Sequence, residues 1–206
     1  MSRKRAKRVG KKRVLIVCEG DKTEPNYLKR FCEAEGLDTI PNIHIDKRCR
    51  STSPFRIVRY ALAQFKKDGD YDLVFCVFDK DTHTEYDAAL DAIKRARMPR
   101  GVSLIPINSV PCVEYWFLLH FIFTTKPFVG IGNKSPCLEL CQELKKHIPT
   151  YDKGKPDIYD LIGDKTDKAI ERSIRSIKLA EKDKIDNPTT RMHILISELR
   201  NLHNPS

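Results

Sequence analysis

Acidic side chains follow two of the most apolar segments of the chain. Glu19 comes directly after the run Val14–Cys18, and Asp79 and Asp81 come after Leu73–Phe78. If both runs are neighbouring strands of a parallel sheet, their carboxyl ends meet at one edge, about 4.8 Å apart. Positions i and i+2 of an extended chain point the same way. The spacing therefore predicts that three carboxylates converge.

Three converging carboxylates repel one another and stay ionised together only if positive charge joins them. Mg²⁺ is the natural candidate because it prefers oxygen ligands and keeps several waters, and Mn²⁺ is a possible substitute. Such an ion polarises a phosphodiester oxygen and activates a water. We therefore predict that Asp79 and Asp81 bind the metal, while Glu19 shares it or acts as general acid or base. The alternative for each acid is a cap on the next helix.

Two further residues are candidates for the same site. Glu114 lies in the apolar segment "CVEYWFLLHF", where a carboxylate must be paired or act as a ligand. It is either a catalytic residue or a structural hydrogen-bond partner. Lys153, in "TYDKGKP", is placed to neutralise charge in a phosphoryl transition state, or it is a solvated loop lysine.

Positive charge is concentrated at the amino terminus. Of the net charge of +10, residues 1–13 hold eight Lys or Arg and no acid, which leaves 30 basic and 28 acidic side chains elsewhere. Such a tail repels itself, is expected to be disordered over residues 1–12, and suits phosphate contacts, although it is equally a solubilising terminus. The candidate nucleic-acid contacts are Arg3, Lys4, Arg5, Lys7, Arg8, Arg48, Arg50 and His83.

The elements that must position these residues alternate between strand and helix. The apolar runs predict strands at Val14–Cys18, Asn42–Asp46, Leu73–Phe78 and Val102–Ile107. Helices are predicted from Thr23 or Glu24, from Ser53-Pro54 to Gly69, and over Thr84–Arg97. Further helices are predicted at Val113–Phe123, Leu138–His147, Ile158–Ile162, Thr166–Glu181 and Thr189–Leu202. This order predicts an α/β fold: a parallel sheet flanked by helices over residues 13–110, and a helical C-terminal portion over residues 111–206 that packs on it.

Cysteine usage and hydropathy bear on the environment of the protein. No apolar run approaches the roughly 20 residues that cross a bilayer, and the basic start precedes too short an apolar region for a secretory signal. We expect a cytoplasmic protein with no membrane partner. The seven cysteines are expected to be buried free thiols, among them Cys18, Cys76, Cys112 and Cys141. Cys137, Cys141 and His147 do not have the usual zinc spacing.

Other protein classes also place acids after strands. A haloacid-dehalogenase phosphatase carries its DxD pair after the first strand, with Thr or Val four residues after the nucleophile, whereas here the pair follows the third predicted strand and that position is His83. A signalling receiver has a lysine near its fifth strand that is not evident here. The sequence departs from both patterns at these positions.

A Glu after the first strand with DxD after the third resembles the Toprim arrangement of primases, topoisomerases and overcoming-lysogenization-defect nucleases. Five segments occur in the order seen in RloB-like proteins, which are bacterial proteins linked to restriction loci and phage defence. They are "LIVCEGDKTEPNYLKRF", "DLVFCVFDKDTH", "NSVPCVEYWFLLHF", "YDKGKPDIYDLI" and "NPTTRMHILISEL". The resemblance covers about residues 13–200. One departure is Val110-Pro111-Cys112, where the family usually has Asn-Pro-Cys; either Asn108 replaces that asparagine or the contact is absent.

The resemblance implies a Toprim-like, Mg²⁺-dependent nuclease that cleaves DNA or RNA in a phage-defence or abortive-infection system. It also implies a partner such as an ATPase, and an oligomer is possible. Glu19, Asp79 and Asp81 match the acidic motif of the family. Two alternatives stay open: a non-catalytic module that binds nucleic acid or a partner, and a metal-dependent phosphatase or nucleotide-processing enzyme. A topoisomerase is disfavoured because 206 residues leave little room for strand passage.

Overall fold

The computed structural model describes residues 12–37, 42–46, 49 and 53–203. The predicted tail contacts at residues 3–8 and the two arginines Arg48 and Arg50 lie outside the described residues. The predictions made for them are therefore not tested by the structure.

A five-stranded sheet forms the centre of the protein. Its strands are β1 (Val14–Cys18), β2 (Ile43–Asp46), β3 (Leu73–Asp79), β4 (Ser103–Val110) and β5 (Thr189–Thr190). They are arranged in the order β2-β1-β3-β4-β5, with the first four parallel and β5 antiparallel to β4. The structure thus confirms the predicted α/β fold with a mostly parallel sheet. In particular, β1 and β3 are neighbours.

Helices cover both faces of the sheet because its central strands are apolar on both sides. The helices of the first half are α1 (Thr23–Ala34), α2 (Pro54–Asp68) and α3 (Tyr86–Arg95). Alternate residues of β1 enter two separate cores: Ile16 packs with α1 and the C-terminal helices, whereas Val17 packs with α2 and α3. The period-two alternation of the strand therefore assigns each helix to one face.

Local signals set the ends of α2 as the sequence predicts. Ser53 caps its first turn by accepting a hydrogen bond from the Arg56 N–H, and Pro54 occupies the first helical position. Gly69 ends the helix with a left-handed φ of 64°, a conformation that costs little only for glycine.

The C-terminal portion contains α4 (Glu114–Leu118), α5 (Pro136–Lys145), α6 (Ile158–Ile162), α7 (Thr166–Asp183) and α8 (Met192–His203). The predicted helix Val113–Phe123 is wrong in length, because α4 has only five residues. The run is apolar because it is buried, and an unbroken apolar run carries no periodicity that fixes where a helix stops. The hydroxyl of Tyr115, a residue of α4, donates to the Thr124 carbonyl oxygen at 2.7 Å. This hydrogen bond holds the segment that follows the helix.

The other difference concerns the edge of the sheet. Thr189 and Thr190, predicted as the start of a helix, instead form β5 and pair with Val110 and Ser109. The C-terminal portion thus contributes a strand to the sheet. Two residues are too short a segment for sequence periodicity to identify as a strand.

Candidate functional site

Glu19 and Asp79 meet at the carboxyl edge of the sheet. Cys18 pairs with Val77 in the parallel register of β1 and β3, and the Glu19 N–H donates to the Val77 carbonyl oxygen at 2.9 Å. The Asp79 N–H then donates to Oε2 of Glu19, also at 2.9 Å. The parallel pairing predicted from the apolar runs therefore brings these two acids together.

His83 lies on the other oxygen of the same carboxylate. Its Nε2 is 3.0 Å from Oε1 of Glu19. His83 was predicted as a nucleic-acid contact; in the structure its ring is partly exposed beside Glu19, so a role toward phosphate stays a prediction. This contact implies that Nε2 of His83 carries a hydrogen and donates it to the Glu19 carboxylate.

Asp81 lies on a turn past the end of β3. β3 ends at Asp79, and Asp81 has a positive φ of 27°, so the expectation of an extended chain from Asp79 to Asp81 is wrong. The Asp81 N–H donates to the Pro111 carbonyl oxygen at 2.8 Å, and its Oδ1 accepts a hydrogen bond from the Cys137 N–H at 3.3 Å. These two hydrogen bonds hold the turn against the loop after β4 and the first turn of α5.

Glu114 is fully buried at the start of α4. Its Oε1 accepts a hydrogen bond from the Tyr151 hydroxyl at 2.8 Å and lies 3.2 Å from Nζ of Lys153. The sequence-based expectation that this carboxylate must be paired is met by two residues of the loop between α5 and α6. Partial burial by itself lowers the pKa of Lys153, but the Glu114 carboxylate outweighs it and the pKa lies above its ordinary value.

Glu24 is a site residue that the sequence analysis missed. It was interpreted only as part of a helix start, yet its side chain is buried in the first turn of α1. Burial, with the charges of Glu114 and Glu19, raises its pKa to about 8. A signal was present: a helix that follows a parallel strand begins at the carboxyl edge of the sheet, so an acid in that first turn reaches the same edge as Glu19.

The acids at this edge perturb one another. Burial raises the pKa of Asp79 well above its usual value, and the charges of Glu24, Glu114 and Glu19 raise it further. Burial also raises the pKa of Glu19, against the opposing hydrogen bond from Asp79 and the charge of His83. Lys153 lowers the pKa of all three perturbed acids. If these carboxyl groups are all ionised, their negative charge exceeds the single positive charge of Lys153.

This excess of hard oxygen donors fits Mg²⁺ by ligand type and by charge. The distances between the possible ligand atoms support such a site less well. Across residues 12–37, 42–46, 49 and 53–203, one group of three or more possible ligand residues has all its ligand atoms within 4.8 Å, and it consists of Cys112, Glu114 and Cys137. Glu19, Asp79 and Asp81 do not form such a group, so metal binding by them stays a prediction.

Cys112 and Cys137 form a disulfide. The expectation that Cys112 is a free thiol is therefore wrong. The bond links the loop before α4 to the first turn of α5, and no sequence pattern indicates that these two positions meet. The other five cysteines form no disulfide and are buried, as predicted.

Comparison with known families now adds to the geometry. The family model described as RloB-like protein matches residues 14–199, which is most of the chain. The chain belongs to the RloB-like family. Membership indicates a defence-related role, and it confirms the resemblance carried by the five segments. No curated protein and no solved structure matches the chain.

Two smaller predictions can also be compared with the structure. The Asn108 side chain donates to the Tyr86 hydroxyl at 2.6 Å, so its amide group is bound to α3.

Within the described part of the chain, no helix is both long enough and apolar enough to cross a membrane.

Proposed function

We propose that the chain is a metal-dependent nuclease of the Toprim type that hydrolyses phosphodiester bonds of DNA or RNA in a bacterial phage-defence or restriction-linked system. The observation that carries the proposal is the group of acids at the carboxyl edge of a parallel sheet. Glu24 and Glu114 are buried there, Glu19 accepts from the Asp79 N–H, and Glu114 lies 3.2 Å from the ammonium group of Lys153. That edge is where open α/β sheets bind ligands.

Each acid has a role that its position supports. Glu19, Asp79 and Asp81 would hold Mg²⁺, with Glu24 and Glu114 as additional carboxylates at the same edge. Bound there, the ion would polarise a phosphodiester oxygen and lower the pKa of a water. Residues of the chain orient the substrate: Lys153 offers positive charge to the phosphoryl group, and His83 holds a proton at Oε1 of Glu19.

Affinity for the polymer comes from charge outside the acid cluster. The six basic residues among residues 2–11 and the pair Arg48 and Arg50 would contact phosphates without reading sequence. Such binding weakens steeply as salt is added. A defence-complex partner such as an ATPase, or a second copy of the chain, would act in addition to these contacts.

The test is cleavage of single- and double-stranded DNA and RNA in Mg²⁺ or Mn²⁺. We expect the parent protein to cleave at least one polymer and Asp79→Asn to lose about 100-fold or more, since it removes charge at the centre of the cluster. Asp91→Asn is the matched control, because Asp91 is an exposed acid of α3 paired with Arg95. It should cleave like the parent.

Three outcomes would overturn the proposal. Salt-sensitive binding that survives Asp79→Asn, with no cleavage by the parent, would indicate a non-catalytic nucleic-acid module. Release of phosphate from small substrates without nicking of polymers would indicate a phosphatase or nucleotide-processing enzyme. Cleavage by Asp79→Asn at the parent rate would place the active site elsewhere.

A further inference from the structure

Two sulfur atoms and a carboxylate oxygen lie together beside the acid cluster. The ligand atoms of Cys112, Glu114 and Cys137 are all within 4.8 Å of one another, and all three residues are buried. Short segments hold them in place: Cys112 precedes α4 by two residues, Glu114 begins α4, and Cys137 is the second residue of α5. In the structure the two sulfurs are joined as a disulfide.

We propose that reduction of this disulfide creates a site for a thiophilic divalent cation of the zinc class. Two thiolates and a carboxylate are a ligand set that zinc accepts, in a tetrahedral arrangement with water in the fourth position. Ligands at 2.0–2.3 Å from a tetrahedral ion lie roughly 3.3–3.8 Å apart. The three atoms therefore need to move little once the S–S bond is open. The soft sulfur ligands disfavour Mg²⁺, so this site is chemically distinct from the proposed magnesium site.

Residues around the three ligands support such a site. The Tyr151 hydroxyl donates to Oε1 of Glu114, and Oε2 of the same carboxylate lies 3.6 Å from Sγ of Cys137. Hydrogen bonds of this kind orient metal-binding carboxylates. The Cys137 N–H donates to Asp81, which fixes the backbone that carries one sulfur.

Charge balance also favours the ion. Two thiolates, one carboxylate and a divalent cation sum to −1, and the ammonium group of Lys153 lies 3.0 Å from Sγ of Cys137 and 3.2 Å from Oε1 of Glu114. The ammonium group cancels the remaining negative charge.

An opening reaches the site from solvent. A cavity of about 400 Å³ is lined by Cys137, Tyr151 and Lys153, together with Asp81, Ser135 and Cys141. A volume of this size admits water, so the cavity brings water and ions to the side of the site that Cys137 forms. Asp81 and Asp152 on its walls are matched by Lys145 and Lys153.

Oxidation and metal binding exclude each other because they use the same two sulfurs. A dithiol reductant supplies two electrons and two protons, the S–S bond breaks to give two thiols, and the reductant becomes a disulfide. The cation then replaces the two thiol protons. The proposal goes beyond nuclease activity and does not depend on it.

The experiment measures zinc binding by competition with a chromophoric chelator, and cobalt binding by its thiolate charge-transfer absorption. The protein is reduced with a phosphine, desalted without oxygen, and compared with the disulfide form of the same chain. Thiol titration in denaturant verifies the two states: five thiols when Cys112 and Cys137 are bonded and seven, the full cysteine count, when they are not. We expect one ion per reduced chain, cobalt–thiolate absorption, and at least tenfold weaker binding by the disulfide form.

Variants assign the ligands. Cys112→Ser, Cys137→Ser and Glu114→Gln should each weaken zinc binding tenfold or more, whereas Cys49→Ser, in the other core cluster, should bind like the parent. The proposal fails if the reduced parent takes up no ion, or if Cys49→Ser weakens binding as much as Cys112→Ser does. If circular dichroism shows that the serine variants do not fold, the comparison of reduced and disulfide parent decides alone, and equal zinc affinity of these two states overturns the proposal.

Discussion

At the scale of single residues, the acids of the cluster differ in how deeply they are buried and in which hydrogen-bond donors contact them. Glu114 has Tyr151 and Lys153, and Glu19 has the Asp79 N–H and His83. Glu24 differs, because its pKa is raised to about 8 by burial and by neighbouring carboxylates. A buried acid with this pKa takes up a proton near neutral pH unless a cation is present.

Glu24 should therefore make the protein less stable as the pH rises. Its folded-state pKa of about 8 lies above the ordinary value of 4.5, so the folded state keeps a proton that the unfolded state releases between these values. The free energy of unfolding then falls as the pH rises from about 4.5 to about 8 and levels off above. Without divalent metal, Glu24→Gln should remove this loss and raise the Tm at pH 8 by roughly 2–8 °C, or ~1–2 kcal/mol. Thermal melts in EDTA from pH 5 to 9 measure it.

Glu33→Gln on the same helix is the control for this measurement. Its carboxylate is bonded by Arg30, and this hydrogen bond lowers the pKa of Glu33, so the substitution should give no gain at pH 8. Equal pH profiles for the parent and Glu24→Gln would show that the Glu24 carboxylate does not titrate in this range.

At the scale of elements, each part of the site depends on where a strand or helix begins or ends. β1 and β3 end side by side, α1 and α4 begin at the same edge, and the loop after α5 brings Lys153 to Glu114. That loop is tied to α1, because the Asn26 side chain donates to the Gly154 carbonyl oxygen at 3.1 Å. The position of the ammonium group therefore depends on the conformation of the loop.

Gly154→Ala should disturb Lys153 through the backbone. Gly154 has a φ of +81°, and a Cβ there would lie 3.0 Å from the Lys22 side chain. A left-handed conformation costs a non-glycine residue about 1–2 kcal/mol, so the loop is expected to relax and displace its neighbour. We predict a loss of ~10-fold or more in cleavage rate, measured at a temperature well below the Tm.

Gly69→Ala is the matched control for strain alone. Gly69 has a similar φ of +64° with open space where its Cβ would lie, and it ends α2 away from the acids. It should lower the Tm by a similar amount and leave cleavage unchanged. Equal losses of activity in both variants would mean that reduced stability, rather than displacement of Lys153, lowers the rate.

Magnesium should stabilise the folded protein more at high pH than at low pH. The ion needs ionised carboxylates, and the raised pKa values of Glu24, Asp79 and Glu19 mean that protons compete with it. Affinity should therefore rise from pH 6 to pH 8. With free ion at about 100 times its Kd, the Tm should rise by roughly 5–10 °C. Melts with MgCl₂ or EDTA at both pH values test this.

Asp79→Asn separates specific binding from a general salt effect in those melts. It keeps the backbone N–H that donates to Glu19 but removes one carboxylate. The Mg²⁺-dependent rise should be lost in Asp79→Asn and kept in Asp91→Asn. A rise of the same size in both variants would place the bound ion elsewhere.

At the scale of the whole molecule, charge is divided between an acidic edge and a basic terminus. The net charge of +10 comes mainly from eight basic residues within residues 1–13. Acids at the proposed catalytic edge repel a polyanion, so positive charge elsewhere has to hold the nucleic acid near it. The two regions are therefore complementary in the proposed function.

Replacing the six Lys and Arg of residues 2–11 by Gln should weaken binding to nucleic acid and reduce its salt dependence. For duplex DNA the slope of log K against log salt should fall by up to ~5 if every side chain contacts a phosphate. Fluorescence anisotropy at several salt concentrations measures the slope. The Tm should not change, because these residues are not part of the described core. An unchanged slope would show that the tail does not contact phosphates.

The sequence predicted the features that depend on local chemistry. Apolar runs identified β1 and β3, Ser53-Pro54 and Gly69 marked the ends of α2, and the acids after the strands identified one edge of the sheet. The prediction failed where the determining contact was distant in sequence. The turn at Asp81 is held by a hydrogen bond to Pro111, and α4 ends at Leu118 although the apolar run continues to Phe123.

The sequence by itself determined the α/β fold, the family, and the placement of Glu19 and Asp79, because strand periodicity and residue type act over a few neighbouring positions. Only the tertiary structure decided that Glu24 joins these acids, that Lys153 lies on Glu114, and that Cys112 meets Cys137. The last two contacts join segments that are far apart along the chain. Their geometry depends on how the helices pack on the sheet, which no local pattern specifies.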